Sequence, residues 1–351
     1  MRVTVLSSTP ASPTEGSGTF VATAGLVRGL ADVGIEIDVR PLGRRTGFHT
    51  FDRFRYNVSA ALRPPSADVV LGVDLDGFLW ACRRRRPKFV VSLKGVIADE
   101  MTHERGWVRT LLGIQARWER ANAHRADVVV ASSTYAAETA RRLYGLGHPV
   151  RTIPEPIDLA GWRARLAAAG ARRPGPPTVL CVARMYPRKR IADLLHAARL
   201  LTERIPELRT RIVGKGPEYA ALRDLSNRLA LGAHVTFLGD VGARALAVEY
   251  VNADLFCLPS VQEAFGIVFA EAMAAGLPVV ACRAAAVPEV VEHERTGLLV
   301  SPRRADELAT AIERVVRDVT LRRTLGAAGT TRVEAFDLPR VARAWREVLD
   351  A

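Results

Sequence analysis

The sequence predicts an α/β protein made of two doubly wound domains of similar size. Short apolar segments typical of buried strands alternate with amphipathic segments typical of helices, and the alternation runs twice along the 351 residues. Proline-rich punctuation at residues 153–158 and 173–177 separates the two runs and predicts a linker. Such alternation favours parallel sheets flanked by helices, so we expect two Rossmann-like domains that face each other across a cleft at the carboxyl ends of their strands.

The first run begins at the first residues of the chain, which predict a strand and not a signal peptide. No run of about 18 apolar residues occurs, so no transmembrane helix is expected. Helices are expected near residues 19–33, 107–124 and 133–145. Strands are expected near residues 2–7, 35–40, 68–73, 88–93, 126–131 and 149–153.

The second run predicts strands near residues 177–182, 208–213, 234–238, 253–258, 278–281 and 297–300. Its helices are expected near residues 190–204, 217–231, 243–251, 265–275 and 304–316. A last amphipathic helix, near residues 336–349, contains Trp345 and is long enough to pack back across the linker. We therefore assign residues 1–155 to an N-terminal domain, 156–335 to a C-terminal domain and 336–351 to a helix returning toward the first.

The net charge of +13 is spread evenly over the chain. Residues 1–155 carry 22 basic and 15 acidic side chains, and residues 156–351 carry 28 and 22. With only 6% aromatic residues and no recognised binding motif, nucleic acid is not the expected partner. Anionic substrates or an anionic membrane surface fit the charge equally well. The densest basic cluster, residues 83–86 with Lys88, is either a solvated helix end or, with Trp80, Trp107 and Phe48, part of a membrane-facing surface.

Two other classes of site are not favoured. The cysteines Cys82, Cys181, Cys257 and Cys282 have no metal-ligand spacing, and buried free thiols in a reducing, cytoplasmic compartment are the simplest interpretation. The glycines near Gly18 match only part of a dinucleotide-binding motif, because Val21 replaces its third glycine. A glycine-containing loop before a helix can still approach a substrate closely, so Gly18 is kept as a candidate.

The segment from Glu263 to Glu271 places two carboxylates around an apolar run, just after a predicted strand. If a helix begins just after Glu263, eight residues return to nearly the same helix face. Buried carboxylates need partners such as sugar hydroxyls, and the amides at a helix N-terminus suit a phosphate. The alternative is a capping glutamate followed by an exposed one.

Two further strand ends carry cations. Arg184 and Lys189 follow the strand near 177–182, where a guanidinium fork and an ammonium group would suit a diphosphate. Gly214 and Lys215 follow the next strand in a tight turn that leads into a helix. For each pair the alternative is an ordinary exposed loop.

Taken together, these motifs closely resemble the retaining family 4 glycosyltransferases, which have the two-domain GT-B fold. The motifs are Val-Ala-Arg-x4-Lys, Val-Gly-Lys-Gly-Pro, Pro-Ser-x2-Glu-Ala-Phe-Gly-x4-Glu-Ala-Met-Ala-x-Gly, Val-Pro-Glu-Val-Val and Thr-Gly-Leu-Leu-Val, between residues 178 and 301. The resemblance is weaker over the first domain, where residues 124–133 match the family's strand and turn.

The resemblance implies a role for each matching residue. Arg184 and Lys189 would hold the donor diphosphate, Glu271 would bind the ribose hydroxyls, and Glu263 would contact the transferred sugar. Gly214 and Lys215 would lie near the donor, as would the amides of residues 264–267, namely Ala264, Phe265, Gly266 and Ile267. No metal or other cofactor is expected, because these cations and amides can stabilise the leaving diphosphate.

The first domain departs from the family's pattern. Many relatives carry a histidine motif after the fourth strand, where this chain has Lys94. Either Lys94 substitutes at the sugar-facing position or His103 reaches in, and both could instead be surface residues.

The resemblance therefore predicts a retaining transferase in the cytoplasm, in solution or peripherally bound to the membrane. It would use a nucleoside diphosphate sugar donor and a sugar, lipid-linked or small-molecule acceptor. Two rivals stay open: an epimerase or hydrolase on the same fold, and an inactive donor-binding protein.

Overall fold

The computed structural model describes residues 1–10, 13–43 and 45–351. It divides the chain into two compact units, one made of Met1–Pro156 with Phe336–Ala351 and the other of Ile157–Ala335. The boundary lies at residue 156, against the expected 155, and the last segment belongs to the first unit. The acceptor-binding and donor-binding roles assigned to the two domains stay predictions.

The first unit contains a six-stranded parallel sheet in the order β2-β1-β3-β4-β5-β6. Its four central strands are buried runs rich in valine and leucine, as expected for a parallel sheet covered on both faces, whereas its two edge strands are largely exposed. The strands are β1 (Arg2–Ser7), β2 (Glu36–Pro41), β3 (Val69–Val73), β4 (Lys88–Leu93), β5 (Val128–Ala131) and β6 (Val150–Thr152). The helices before the linker are α1 (Pro13–Asp32), α2 (His49–Leu62), α3 (Ile97–Glu100), α4 (Gly106–Arg125) and α5 (Thr134–Tyr144), with 3-10 turns at Trp80–Cys82 and Met101–His103.

The second unit contains another six-stranded parallel sheet, in the order β12-β11-β10-β7-β8-β9. The strands are β7 (Thr178–Val182), β8 (Arg209–Val213), β9 (Val235–Gly239), β10 (Leu255–Leu258), β11 (Val279–Cys282) and β12 (Gly297–Val300). The helices are α6 (Leu159–Ala168), α7 (Ile191–Arg204), α8 (Tyr219–Arg228), α9 (Ala243–Asn252), α10 (Ile267–Ala274), α11 (Val287–Val290), α12 (Ala305–Arg317) and α13 (Val319–Arg332). Two 3-10 turns, Pro187–Lys189 and Val333–Phe336, complete the elements.

The last helix, α14 (Leu338–Asp350), packs in the first unit. Its apolar face, including Trp345, joins the core formed by β1, β3 and β4. A Cβ on Gly29 of α1 would lie 2.6 Å from Leu338 Cδ1, so the glycine permits close approach of the two helices. The Lys88 ammonium group donates to the carbonyl of Val348 at 2.7 Å, which satisfies an acceptor in the last turn of α14.

All twelve expected strands are present, with ends within two residues of the predictions. Five helical segments were not predicted: α2, the short α3, α6, the short α11 and α13. Helix α6 lies in the stretch predicted as a linker, because alanine and arginine between the proline clusters favour a helix. Among the described residues, no helix is long and apolar enough to cross a membrane.

The predicted membrane-facing surface is wrong in one of its parts, because Trp80 does not reach the surface. Trp80 is buried and packs edge-on against Phe89, with 5.3 Å between ring centroids. The Arg86 guanidinium group pairs with the Asp127 carboxylate at 2.6 Å, and the Arg83 guanidinium group donates to the Ala61 carbonyl. Arg86 and Lys88 therefore help to hold the first unit together, whereas Arg83, Arg84 and Arg85 are exposed, and the membrane role of this cluster stays a prediction.

Candidate active site

The candidate site lies at the topological switch point of the second unit. Strands β7 and β10 are neighbours at this point. From β7 the strand order continues through β8 and β9 to one edge of the sheet, and from β10 it continues through β11 and β12 to the other edge. Ligands of doubly wound sheets bind outside the carboxyl ends of the strands at such a point. Arg184 and Lys189 follow β7, and Glu263 follows β10. The strand order therefore brings the two motifs to one edge of the sheet.

Two glycines fix the loops after β7 and β8 against each other. Gly214 has φ +109°, and a Cβ there would lie 2.2 Å from the Ala183 carbonyl oxygen. A Cβ on Gly216 would lie 2.5 Å from the Met185 nitrogen, which donates to the Lys215 carbonyl at 3.0 Å. This contact between the two loops fixes the position of the backbone of Arg184, whose side chain is half-buried. The exposed Lys215 places its ammonium group over the Tyr219 ring, 5.9 Å from the centroid.

Lys189 and Glu263 form a direct ion pair. The Lys189 ammonium group lies 2.6 Å from Glu263 Oε1, and the Ser260 hydroxyl donates to the same oxygen at 2.7 Å. The Val261 amide donates to the Arg188 carbonyl at 2.9 Å, which joins the two loops through their backbones. The Lys189 side chain is 15% exposed and the Glu263 side chain is 9% exposed. An incoming phosphate can therefore reach the ammonium group and compete with Glu263 for it.

The predicted helix geometry of the Glu263–Glu271 segment is wrong. Helix α10 begins at Ile267, so Glu263 lies in the preceding loop and eight helical steps do not relate the two carboxylates. Gly266 ends that loop with φ +88°, and a Cβ there would lie 2.5 Å from the Phe269 ring. As the N-cap residue, Gly266 has no side chain that could accept from the first-turn amides. The start of α10 is thus suited to an anion.

Glu271 has a different environment from Glu263. The Tyr250 hydroxyl donates to its carboxylate at 3.1 Å, and the Trp162 indole donates to its backbone carbonyl at 3.0 Å. The Trp162 and Tyr250 rings meet edge to face with 5.2 Å between centroids. Burial of the carboxyl group raises the pKa of Glu271 to about 7, although the Tyr250 hydrogen bond and the charge of Arg165 act in the opposite direction.

The remaining predicted residues lie in the first unit. The Lys94 side chain is only 3% exposed, and its ammonium group pairs with the Glu155 carboxylate at 2.8 Å. It also lies 6.0 Å from the centroid of the Trp345 ring. The half-buried His103 ends the 3-10 turn Met101–His103. The catalytic roles of Lys94 and His103 stay predictions, and the burial of Lys94 favours a structural role.

Gly18 is placed differently from its prediction. Helix α1 begins at Pro13, so Gly18 lies inside the helix and not in a loop before it. Its backbone is exposed, and a Cβ would have nothing within 4 Å. No close approach to another group therefore requires a glycine at this position, and its donor-binding role stays a prediction.

Sequence reasoning missed a buried polar network at the switch point of the first unit, between β1 and β3. The Asp76 carboxylate accepts from the Ser8 amide at 2.6 Å and from the Ser8 hydroxyl at 2.8 Å. The Asn57 amide donates to it at 3.0 Å, and Arg53 reaches the Ser8 hydroxyl at 3.0 Å. The signal in the sequence was the pair Asp74 and Asp76 directly after an apolar strand. Helix α2, which carries Asn57 and Arg53, was not predicted.

Two further carboxylates lie beside this network. Asp74 is buried with φ +54° and accepts from the Lys94 amide at 2.7 Å, and burial raises its pKa to about 6. Glu119 is fully buried and accepts from the Ile97 amide at 2.8 Å and from the Tyr144 hydroxyl. Burial and the nearby Asp74 charge raise the pKa of Glu119 well above its usual range. Within the described ranges, no cluster of three or more His, Cys, Asp or Glu side chains is arranged to hold a metal ion.

Two parallel six-stranded sheets, each with polar groups at its switch point, define an α/β protein made of two doubly wound units. Residues 1–161 match the family model described as Glycosyltransferase Family 4, and residues 163–332 match the model described as Glycosyl transferases group 1. The chain belongs to this glycosyltransferase family, whose members have the GT-B fold.

Several curated proteins are similar to this chain. A GDP-mannose-dependent alpha-(1-6)-phosphatidylinositol monomannoside mannosyltransferase of Mycobacterium tuberculosis is 32% identical over 252 residues, which cover 68% of this chain and 65% of that protein. A D-inositol 3-phosphate glycosyltransferase of Saccharomonospora viridis is 33% identical over 240 residues, which cover 64% of this chain and 54% of that protein. The chain thus spans about two thirds or less of the length of these relatives.

Solved structures share the fold over the whole chain. Sucrose-phosphate synthase from Thermosynechococcus elongatus superposes with a TM-score of 0.83 and 25% identity, covering 99% of this chain and 98% of that one. Anabaena HepE in complex with UDP and glucose superposes with a TM-score of 0.76 and 20% identity, covering 100% and 99%.

Proposed function

We propose that this chain transfers a sugar from a nucleoside diphosphate sugar to an acceptor hydroxyl, with retention of anomeric configuration. The observation that carries the proposal is the Lys189–Glu263 pair at the switch point, just before the N-terminus of α10. Family membership and the names of the relatives support it.

The reaction breaks the bond between the anomeric carbon and the diphosphate oxygen, and the electron pair stays on the diphosphate. Negative charge therefore grows on the leaving group, where Lys189 and Arg184 would stabilise it together with the α10 amides. The Lys189 ammonium group would exchange part of its contact with Glu263 for the phosphate. Because these groups supply the positive charge, we expect no divalent metal to be required.

The two glutamates would have separate tasks. Glu263 uses Oε1 for both Lys189 and Ser260, so we expect Oε2 to accept from a hydroxyl of the transferred sugar. Glu271 would bind the ribose hydroxyls of the nucleotide, which requires its ionised form. The acceptor hydroxyl would attack from the face that the diphosphate leaves, and its proton would pass to the departing phosphate oxygen. This route forms no covalent sugar–protein intermediate.

The first experiment is a panel of nucleoside diphosphate sugars scored by thermal stabilisation, since a ligand of the folded state raises its apparent stability. GDP-mannose is the first donor to test, with phosphatidylinositol monomannoside and D-inositol 3-phosphate as the first acceptors, because the relatives' names contain these compounds. Product anomers are then assigned by NMR, in buffers with and without a metal chelator.

The outcomes separate this proposal from its rivals. A retained anomer formed only with acceptor supports transfer. Donor epimerised or hydrolysed without any acceptor would favour the epimerase or hydrolase, and tight donor binding without chemistry would favour a binding protein. A sugar trapped covalently on a side chain would exclude the proposed route.

A further inference from the structure

Two neighbouring helices of the first unit expose large apolar side chains at their N-terminal ends. We define the aromatic patch as Phe48, Phe51 and Phe54 at α2 together with Trp107 and Val108 at the start of α4. These side chains are between 40% and 66% exposed. Isolated exposed apolar residues are common, but a contiguous group on two adjacent elements marks an interaction surface.

Contacts behind the patch show that the helices lie side by side. The Gln115 amide of α4 donates to the Thr50 hydroxyl of α2 at 2.8 Å, and the Phe54 and Trp118 rings lie 5.5 Å apart by centroid. Residue numbers increase in both helices from the first contact to the second, so α2 and α4 run parallel and their N-terminal ends point the same way. Trp107 lies about two turns before Gln115, which extends the patch along α4 beyond the start of α2.

The surroundings of the patch are basic. The only acidic residue between 45 and 63 is Asp52, whose carboxylate is buried and accepts from the Thr46 amide at 3.0 Å and the Thr46 hydroxyl at 2.9 Å. Residues 105–118 contain no aspartate or glutamate. The exposed arginines of the two segments are Arg45, Arg55, Arg63, Arg105, Arg109 and Arg117.

A groove of about 520 Å³ runs along the flank of α2, next to the patch. Its lining includes Arg40, Arg55, Arg63, Tyr56 and Ser59. The Arg40 guanidinium group pairs with the Asp38 carboxylate at 3.5 Å and donates to the Arg63 carbonyl at 2.6 Å, and the Arg55 guanidinium group lies 3.6 Å from the Asp52 carboxylate. Guanidinium groups bind phosphate through a fork of N–H donors, so the groove is suited to a phosphate-bearing headgroup.

We propose that the aromatic patch docks on an anionic lipid bilayer. The rings would enter the boundary between headgroups and acyl chains, while the arginines would meet the negative surface. A second copy of the chain does not fit as the occupant, because a symmetric contact would bring the same arginines face to face. The surface is separate from the proposed donor site, which lies in the other unit.

Vesicle binding tests the proposal without any donor or acceptor. The parent chain is sedimented with vesicles of phosphatidylcholine alone and of phosphatidylcholine with phosphatidylglycerol, and tryptophan emission is recorded on the same samples. Trp107 is the exposed reporter, at 66%, whereas Trp80, Trp162 and Trp345 are buried and Trp118 is half-buried. We expect binding only to the anionic vesicles, a blue shift of emission and release by salt.

Three variants locate the surface. Phe48→Ser/Phe51→Ser/Trp107→Ser should weaken binding by at least about tenfold, because it removes the inserted rings. Arg55→Gln/Arg63→Gln should weaken it by about fivefold per charge, from about 1 kcal/mol for each basic residue near an anionic surface. Trp107→Phe should keep binding and lose the blue shift. The matched control, Leu200→Ser/Val319→Ser, removes exposed apolar side chains of the second unit and should bind as the parent does.

Thermal stability and nucleotide binding of each variant are measured in parallel, since all the changed side chains are exposed and should leave the fold intact. The proposal is overturned if the parent does not sediment with anionic vesicles, if it binds neutral vesicles equally well, or if the triple variant binds like the parent. Concentration-dependent self-association that the triple variant abolishes, without vesicle binding, would assign the patch to a second copy. Failure of vesicle binding would leave the transfer proposal untouched, because donor binding is scored separately.

Discussion

Each unit holds a lysine–glutamate pair at the carboxyl edge of its sheet, and the two pairs differ in what surrounds them. Lys94, directly after β4, pairs with Glu155 at 2.8 Å and is covered by the Trp345 ring. Lys189, after β7, pairs with Glu263 at 2.6 Å beside the Ser260 hydroxyl. The Lys94 side chain keeps 3% of its exposure and that of Lys189 keeps 15%.

This difference separates a structural pair from a pair that can exchange partners. A buried pair contributes little net stability but costs much to break, because the remaining charge has no partner. A pair that reaches solvent beside a helix N-terminus can give up part of its contact to an anion. Chemical identity and separation are nearly the same in both pairs, so the surroundings decide their use.

The largest expected effect comes from breaking the buried pair. Lys94→Met should lower the free energy of unfolding by about 3–5 kcal/mol, because Glu155 is left buried without a partner. Urea unfolding followed by circular dichroism measures this loss. Replacing both residues, Lys94→Met/Glu155→Leu, should recover most of it. A Lys94→Met protein as stable as the parent but inactive in sugar transfer would instead support the catalytic role predicted for Lys94.

Breaking the second pair should affect the reaction more than the fold. Lys189→Ala should raise the barrier to sugar transfer by about 3 kcal/mol, or roughly a hundredfold in kcat, because the leaving diphosphate loses a cation. Its loss of stability should be smaller than that of Lys94→Met. Arg199→Ala, which removes an exposed cation from α7, is the matched control. Unchanged kcat in Lys189→Ala would remove the residue from the proposed site.

The unfolding free energy should depend on pH through the Glu271 carboxyl group of the second unit. The pKa of Glu271 is about 7 in the folded chain and near 4.5 in the unfolded chain. Folding therefore favours the protonated carboxyl group, and the stability this contributes is complete below about pH 4.5 and lost as pH rises through about 7. Glu271→Gln should flatten this part of the pH profile of the unfolding free energy. A residual slope up to about pH 6 is expected from Asp74.

The same titration should appear in nucleotide binding with the opposite sign. If the ionised Glu271 carboxylate accepts from the ribose hydroxyls, affinity for a nucleoside diphosphate should increase as pH rises through about 7. Glu271→Gln should bind weakly with no such rise. Affinity that is independent of pH in the parent would contradict the ribose role.

The smallest effect is expected from Tyr250→Phe, which removes one hydroxyl. Loss of its hydrogen bond to Glu271 should cost about 1 kcal/mol of stability. The pKa of Glu271 should rise further, because that hydrogen bond lowers it. The measurement is the pH midpoint of nucleotide binding, with Tyr219→Phe as the matched control in the same unit. An unchanged midpoint would show that Tyr250 does not influence the carboxylate.

Much of the fold and part of the candidate site could be predicted from local patterns. Strands such as β3 and β10 are short apolar runs with polar punctuation, and helix α12 carries a clear amphipathic pattern. Helix α2 was missed because its sequence shows no single apolar face. Several of its aromatic side chains are exposed to solvent, and arginines lie between them. The start of α10 was misplaced because Gly266 adopts a left-handed conformation that ends the loop three residues after Glu263.

The sequence by itself determined the two parallel sheets, the family and the motifs that follow β7, β8 and β10, because each depends on residues close together in the chain. Only the tertiary structure decided which charged side chains find partners within the protein. Trp345 covers Lys94, and Tyr250 donates to Glu271, although neither partner is near in sequence. Burial and hydrogen bonding set the cost of a charge, and both depend on what the folded chain brings alongside it.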